Sequence, residues 1–99
     1  AKIVKQLTEQ PLPENLLEEL KKVIPTDKAV ATRVSSGKVL QKVASLLPAI
    51  AGGAADLAPS TKSQIDSDSA FSPVNPSGRN INFGVRELGM GMIVNGMAL

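Results

Sequence analysis

Two short runs limit what this chain can fold into. "AIAGGA" (residues 49–54) and "INFG" (residues 81–84) are the only stretches that read as buried strands. Each is short, apolar and next to glycine, the first closed by Gly52-Gly53 as a strand ending in a tight turn, with a helical pattern before the first and after the second. Lone strands alternating with helices indicate a parallel α/β sheet, because a parallel connection needs a crossover. Two strands make too small a sheet, since a parallel sheet needs cover on both faces. The expected fold is therefore an incomplete α/β unit, to be finished by further chain or by a partner.

The helices frame these strands. In "LPENLLEELKKVI", Leu16, Leu17, Leu20, Val23 and Ile24 share one face, acids come early, Lys21 and Lys22 come late, and Pro25 ends the run. "SSGKVLQKVASLL" repeats the spacing with Val39, Leu40, Val43, Leu46 and Leu47, with Ser35 or Ser36 as a cap and Pro48 as a stop. Between the strands, "TKSQIDSDSAFSPVNPSGRN" is a polar loop of about 20 residues, long for a compact domain unless functional or mobile. From Arg86 the pattern is helical again, with Met90, Ile93, Val94 and Met97 on one face. The core has to come from aliphatic residues and Met, because Phe71 and Phe83 are the only aromatics among 99 residues.

Composition removes several functions. With no Cys or His, the chain has no disulfide, zinc-thiolate site, thiol nucleophile or Ser-His-Asp triad. A net charge of +2 without a basic run, and few aromatics to stack on bases, argue against nucleic acid. The longest uncharged apolar stretch is broken by Pro48 and Gly52-Gly53 and is too short to span a bilayer. The first ten residues show no signal peptide.

All but one of the residues that merit chemistry lie after one of the two strands. Glu87 stands at the start of the last helix, in the region where ligands bind in α/β sheets. Its plain readings are an exposed first-turn acid or a partner of Arg86 or a lysine. Among Met and Val, desolvation would instead favour a neutral carboxyl able to donate a hydrogen bond. Gly84, Gly89 and Gly91 do not make a dinucleotide fingerprint, because Val94 occupies the place of the third glycine. They suit close packing better. Asp56 is a turn cap or a site residue. Ser60 is a helix cap or a ligand hydroxyl. Arg33 is an exposed side chain or a phosphate fork.

Taken together, "ATRVSSGKVL", "GGAADLAPS" and "GRNINFGVRELGMGMIVNGMAL" resemble transketolase, at the junction where its diphosphate-binding domain ends and its pyrimidine-binding domain begins. The likeness covers nearly the whole chain and is weakest before Lys28 and over 63–77. It implies a linker or helix over 1–27 and the first part of a pyrimidine-binding domain over 28–99. It implies transfer of a two-carbon ketol unit between phosphorylated sugars in the pentose phosphate pathway, by a cytoplasmic homodimer. The cofactor would be thiamine diphosphate, with a divalent metal (Mg or Ca) held by parts of the enzyme outside this chain. By the same resemblance, Glu87 hydrogen-bonds a ring nitrogen of the aminopyrimidine and promotes its imino tautomer, Arg33 and Ser60 hold the sugar phosphate, and Asp56 lies near the cofactor and subunit interface. These 99 residues alone would be inactive.

Dihydroxyacetone synthase shares the motifs, whereas deoxyxylulose-phosphate synthase is less similar. A non-catalytic docking module is the alternative from another class. The sequence departs from the family pattern at Leu88, commonly His, at Ala54, frequently Ser, and at Thr61, frequently Asn.

Overall fold

A computed structural model describes residues 2–9 and 11–99. They fall into two compact units, 1–50 and 51–99.

The first unit is helical: α1 (Lys2–Glu9), α2 (Leu16–Lys21) and α3 (Thr32–Leu46). The sequence pattern gives no reading of α1. Helix α2 starts with its apolar pattern at Leu16 but stops short of it at Lys21, because the chain tightens ahead of Pro25 into turns in which the Val23 amide donates to the Leu20 carbonyl at 3.2 Å and the Ile24 amide to the Lys21 carbonyl at 3.4 Å. Leu16, Leu20 and Val23 are half-buried, while Leu17 and Ile24 stay exposed. Helix α3 starts earlier than the Ser35/Ser36 cap predicts. Ala31 occupies the N-cap with extended backbone and no side-chain cap, so both serines lie inside the helix. Its most buried positions are Gly37 and Ala44, small residues two turns apart on one face.

Glu19 links α2 to α3. It accepts from Lys22 Nζ on its own helix at 2.5 Å and from Lys42 Nζ on α3 at 2.9 Å. Hydrogen bonds from Lys22 and then Lys42 bring its carboxyl from the usual 4.5 down to about 2.

The second unit holds the sheet. Strands β1 (Gly52–Ala54) and β2 (Asn80–Asn82) pair in parallel, with Gly52 opposite Asn80, Gly53 opposite Ile81 and Ala54 opposite Asn82. The Gly-Gly pair lies inside β1 rather than in a loop closing it. The reason is steric: a Cβ on Gly53 would come 1.8 Å from the Ile81 carbonyl oxygen and 3.1 Å from the Phe83 ring. Gly52 faces open space. Helix α4 (Ala58–Thr61) follows β1, and α5 (Glu87–Ala98) follows β2.

The long loop between α4 and β2 is built on Asn80. That side chain, 6% exposed, accepts from the Ile65 amide at 2.7 Å and donates to the Ile65 and Asp68 carbonyls, both at 2.9 Å. One amide group thus pairs Ile65 in both directions, as a strand neighbour would. Ile65, in a stretch the sequence presents as polar loop, is the most buried large side chain described, at 1% exposure. Arg79 Nε donates to Asp68 Oδ2 at 2.6 Å, and with the Ser69 amide holds that carboxyl below its usual range. Asn75 ties the outer turn to Ser69 and Ala70.

Two outcomes follow. In the full-length protein, Gly53→Ala should lower stability by about 2 kcal/mol, because the clash is with backbone that no rotamer change relieves. Gly52→Ala should change it by no more than about 0.5 kcal/mol. Equal melting temperatures for the two variants would show that β1 does not need the close approach. The second concerns acid. The folded state holds the Glu19 carboxyl below its unfolded value, so its stabilisation is complete above the usual 4.5 and is lost as pH falls toward about 2. Glu19→Gln should flatten that part of an acid-unfolding curve and leave the region above pH 6 nearly parallel to wild type.

Candidate functional site

Parallel pairing decides where the site residues emerge. Because β1 and β2 run the same way in register, both carboxyl ends open on one edge of the sheet. Asp56 comes two residues after β1, and Glu87 five residues after β2. The Phe83 amide donates to the Ala54 carbonyl at 3.2 Å and extends the pairing toward both. Ligands of open α/β sheets bind at this edge.

Asp56 has φ +81°, a left-handed conformation that Asp tolerates better than most non-glycine residues. It is exposed, and the N-cap of α4 is the next residue, Leu57, with no side-chain cap. Backbone held in this region is concentrated at functional sites. Ser60 lies inside α4 and is exposed, and it is not a cap. Its amide donates to the Leu57 carbonyl at 3.1 Å, leaving the hydroxyl at the surface.

Glu87 is the first residue of α5 and is exposed. The N-terminal end of the helix dipole favours an acid there. The alternative of an Arg86–Glu87 pair is not what forms: the Arg86 guanidinium turns back and donates to the Phe83 carbonyl at 2.9 Å. The apolar enclosure anticipated for Glu87 is also not supplied by this chain. Leu88, Met92, Ile93, Val94 and Met97 are all exposed. Of the helix glycines, Gly91 and Gly96 have nothing within 4 Å of an added Cβ, and Gly89 meets only the Arg86 Cβ, at 3.9 Å. Among the described residues of the second unit, nothing else packs against these glycines.

Arg33 belongs to the first unit, where it is the second residue of α3 and exposed. Asp56, Ser60 and Glu87 share the second unit. Sequence reasoning missed Asn80 and Arg86; the tight turn before α5 is signalled only by Gly84. Among the described residues, no three His, Cys, Asp or Glu side chains group to hold a metal. No helix among them is long and apolar enough to cross a membrane.

Fold and edge together define an incomplete parallel α/β unit with carboxylates following paired strands. The family described as "Transketolase, pyrimidine binding domain" matches residues 28–99. A transketolase of Halalkalibacterium halodurans is 53% identical over 72 residues, 73% of this chain and 11% of that protein. Among solved structures, a Pichia stipitis transketolase in complex with sedoheptulose-7-phosphate is similar at TM-score 0.78 and 40% identity, over 95% of this chain and 15% of that one. A transketolase from Leishmania mexicana is similar at TM-score 0.80 and 36% identity, over 96% and 14%. The chain belongs to the transketolase family, and it spans about a ninth of the length of the Halalkalibacterium relative.

Proposed function

We propose that the full-length protein transfers a two-carbon ketol unit between phosphorylated sugars with thiamine diphosphate, and that this chain supplies the pyrimidine end of the site. The observation that carries the reading is the position of Glu87, an exposed carboxylate opening an apolar helix just beyond the carboxyl end of a parallel strand. The match to a pyrimidine-binding domain supports it.

The residues present fit one end of the cofactor. A hydrogen-bonding carboxyl and the exposed apolar side chains of α5 suit an aminopyrimidine ring. The diphosphate and its divalent metal are assigned to parts of the enzyme outside this chain. When bound, thiamine diphosphate supplies the carbon nucleophile of the reaction. The Glu87 carboxyl holds a hydrogen bond to a pyrimidine ring nitrogen and fixes the proton there. Arg33, with its planar fork, and the Ser60 hydroxyl bind the sugar phosphate. The Pichia relative crystallised with sedoheptulose-7-phosphate is consistent with an anion of that kind. Asp56 lies near the cofactor at the β1 end.

We further assign residues 1–27 to the end of the preceding domain and 28–99 to the start of the pyrimidine-binding domain. The enzyme works as a cytoplasmic homodimer in the pentose phosphate pathway, and the isolated chain is inactive.

With thiamine diphosphate saturating, Glu87→Ala in the full-length enzyme should lose activity by roughly 10²-fold or more, the scale of a positioned acid–base group, while keeping its melting temperature. Turnover at the wild-type rate would remove the catalytic role. Arg33→Ala should raise KM for phosphorylated donors and leave non-phosphorylated donors nearly unaffected; equal effects on both would remove the phosphate role.

A further inference from the structure

The turn that delivers Glu87 contains a residue in an unfavourable place. Arg86 occupies the N-cap of α5, with φ −144°, ψ 61° and no side-chain cap. That position prefers Ser, Thr, Asp or Asn, and the positive end of a helix dipole disfavours a cation. A residue that breaks a local rule calls for a compensating gain.

The gain lies in three bonds from one residue. The Arg86 carbonyl accepts from the Met90 amide at 2.8 Å and starts the helix. Its amide donates to the Gly84 carbonyl at 2.8 Å and closes a tight turn. Its Nη1 donates to the Phe83 carbonyl at 2.9 Å. Phe83 is itself fixed, 7% exposed and bonded through its amide to Ala54 of β1. Gly84, at φ +66°, leaves room for the guanidinium, since a Cβ there would come 2.5 Å from Nη1.

Resting on the role given to Glu87 above, we propose that Arg86 is a positioning residue: its guanidinium latches the start of α5 to the buried Phe83, just past β2, and thereby sets where the Glu87 carboxyl points. The latch also keeps the guanidinium of the residue next to Glu87 in sequence on the Phe83 carbonyl. The residue touches neither substrate nor cofactor and acts through its neighbour.

The test uses three variants of the full-length protein. Arg86→Met removes the latch, Arg86→Lys keeps the charge with a single donor point, and Gly84→Ala crowds the guanidinium and also strains the turn at φ +66°. In the cofactor-free protein, amide hydrogen exchange over residues 83–90 should quicken roughly 3–10-fold in Arg86→Met and Gly84→Ala, with other segments unchanged. In the holoenzyme, kcat should fall roughly 10–100-fold with the sugar KM unchanged, the scale of a misplaced group. Arg86→Lys should recover part of it. In a Glu87→Ala background, Arg86→Met should add no further loss. Unchanged exchange, or losses that multiply in the double variant, would overturn the role. If Arg86→Met does not fold, Arg86→Lys gives the same readouts at smaller amplitude. Wild-type turnover by Glu87→Ala alone would remove the reading on which this role rests, and that arm leaves Arg86 untouched, so the two failures are told apart.

Discussion

The close approach of Gly53 to the Ile81 carbonyl sets the geometry of the second unit. A side chain there would meet backbone at 1.8 Å, so the two strands come together only because one residue has none. With three residues per strand, little else defines the register, and a one-residue slip would exchange the faces of β2. Held in this register, β1 and β2 end level with each other. Asp56 and Glu87 then leave the sheet on the same edge. The site begins as a consequence of a missing Cβ.

Asn80 does for the long loop what Gly53 does for the strands. A connection of about 20 polar residues carries an entropic cost and offers little apolar surface in return. Ile65 supplies the one large buried side chain, and Asn80 satisfies the backbone groups that go in with it. The Asp68–Arg79 pair and the Asn75 bonds then close the rest. The loop is thus organised from its β2 end, which ties the order of the loop to the order of the strand that leads to Glu87.

Much of this arrangement was legible in the sequence because it rests on local signals. Apolar runs beside glycine gave both strands, i/i+3/i+4 spacing gave α2, α3 and α5, and the motifs gave the family. What was not legible depends on partners distant in the chain. Gly52 and Gly53 read alike as turn residues, and only the position of Ile81 distinguishes them. Ile65 sits among Ser, Gln and Asp, and its burial comes from an Asn fifteen residues away. Ser35 looks like a cap, yet helix α3 extends upstream of it, where residues 31–34 have no apolar periodicity to announce it. The roles of Arg33, Asp56, Ser60 and Glu87 came from resemblance. What the geometry adds is a shared edge for Asp56 and Glu87, and a strained backbone at Asp56.

Helix α5 poses the remaining physical question. Apart from Glu87 and Asn95, its residues are apolar or glycine, and a helix apolar on all sides belongs in an interior. Leu88 is 81% exposed and Met92 67%, so the second unit itself leaves this helix uncovered. Covering the helix also encloses its first residue. Burying an ionised carboxylate costs several kcal/mol, while the helix terminus returns at most about 1 kcal/mol at a surface-like position and ~2 kcal/mol in a partly buried one. The dipole therefore loses, and the difference has to be met by a hydrogen-bond partner on whatever closes over α5. Arg86 is not that partner, because its guanidinium is committed to Phe83. A small polar ring presented against an apolar wall meets the requirement, and under the proposed function burial of α5 and recognition of a pyrimidine would be one event.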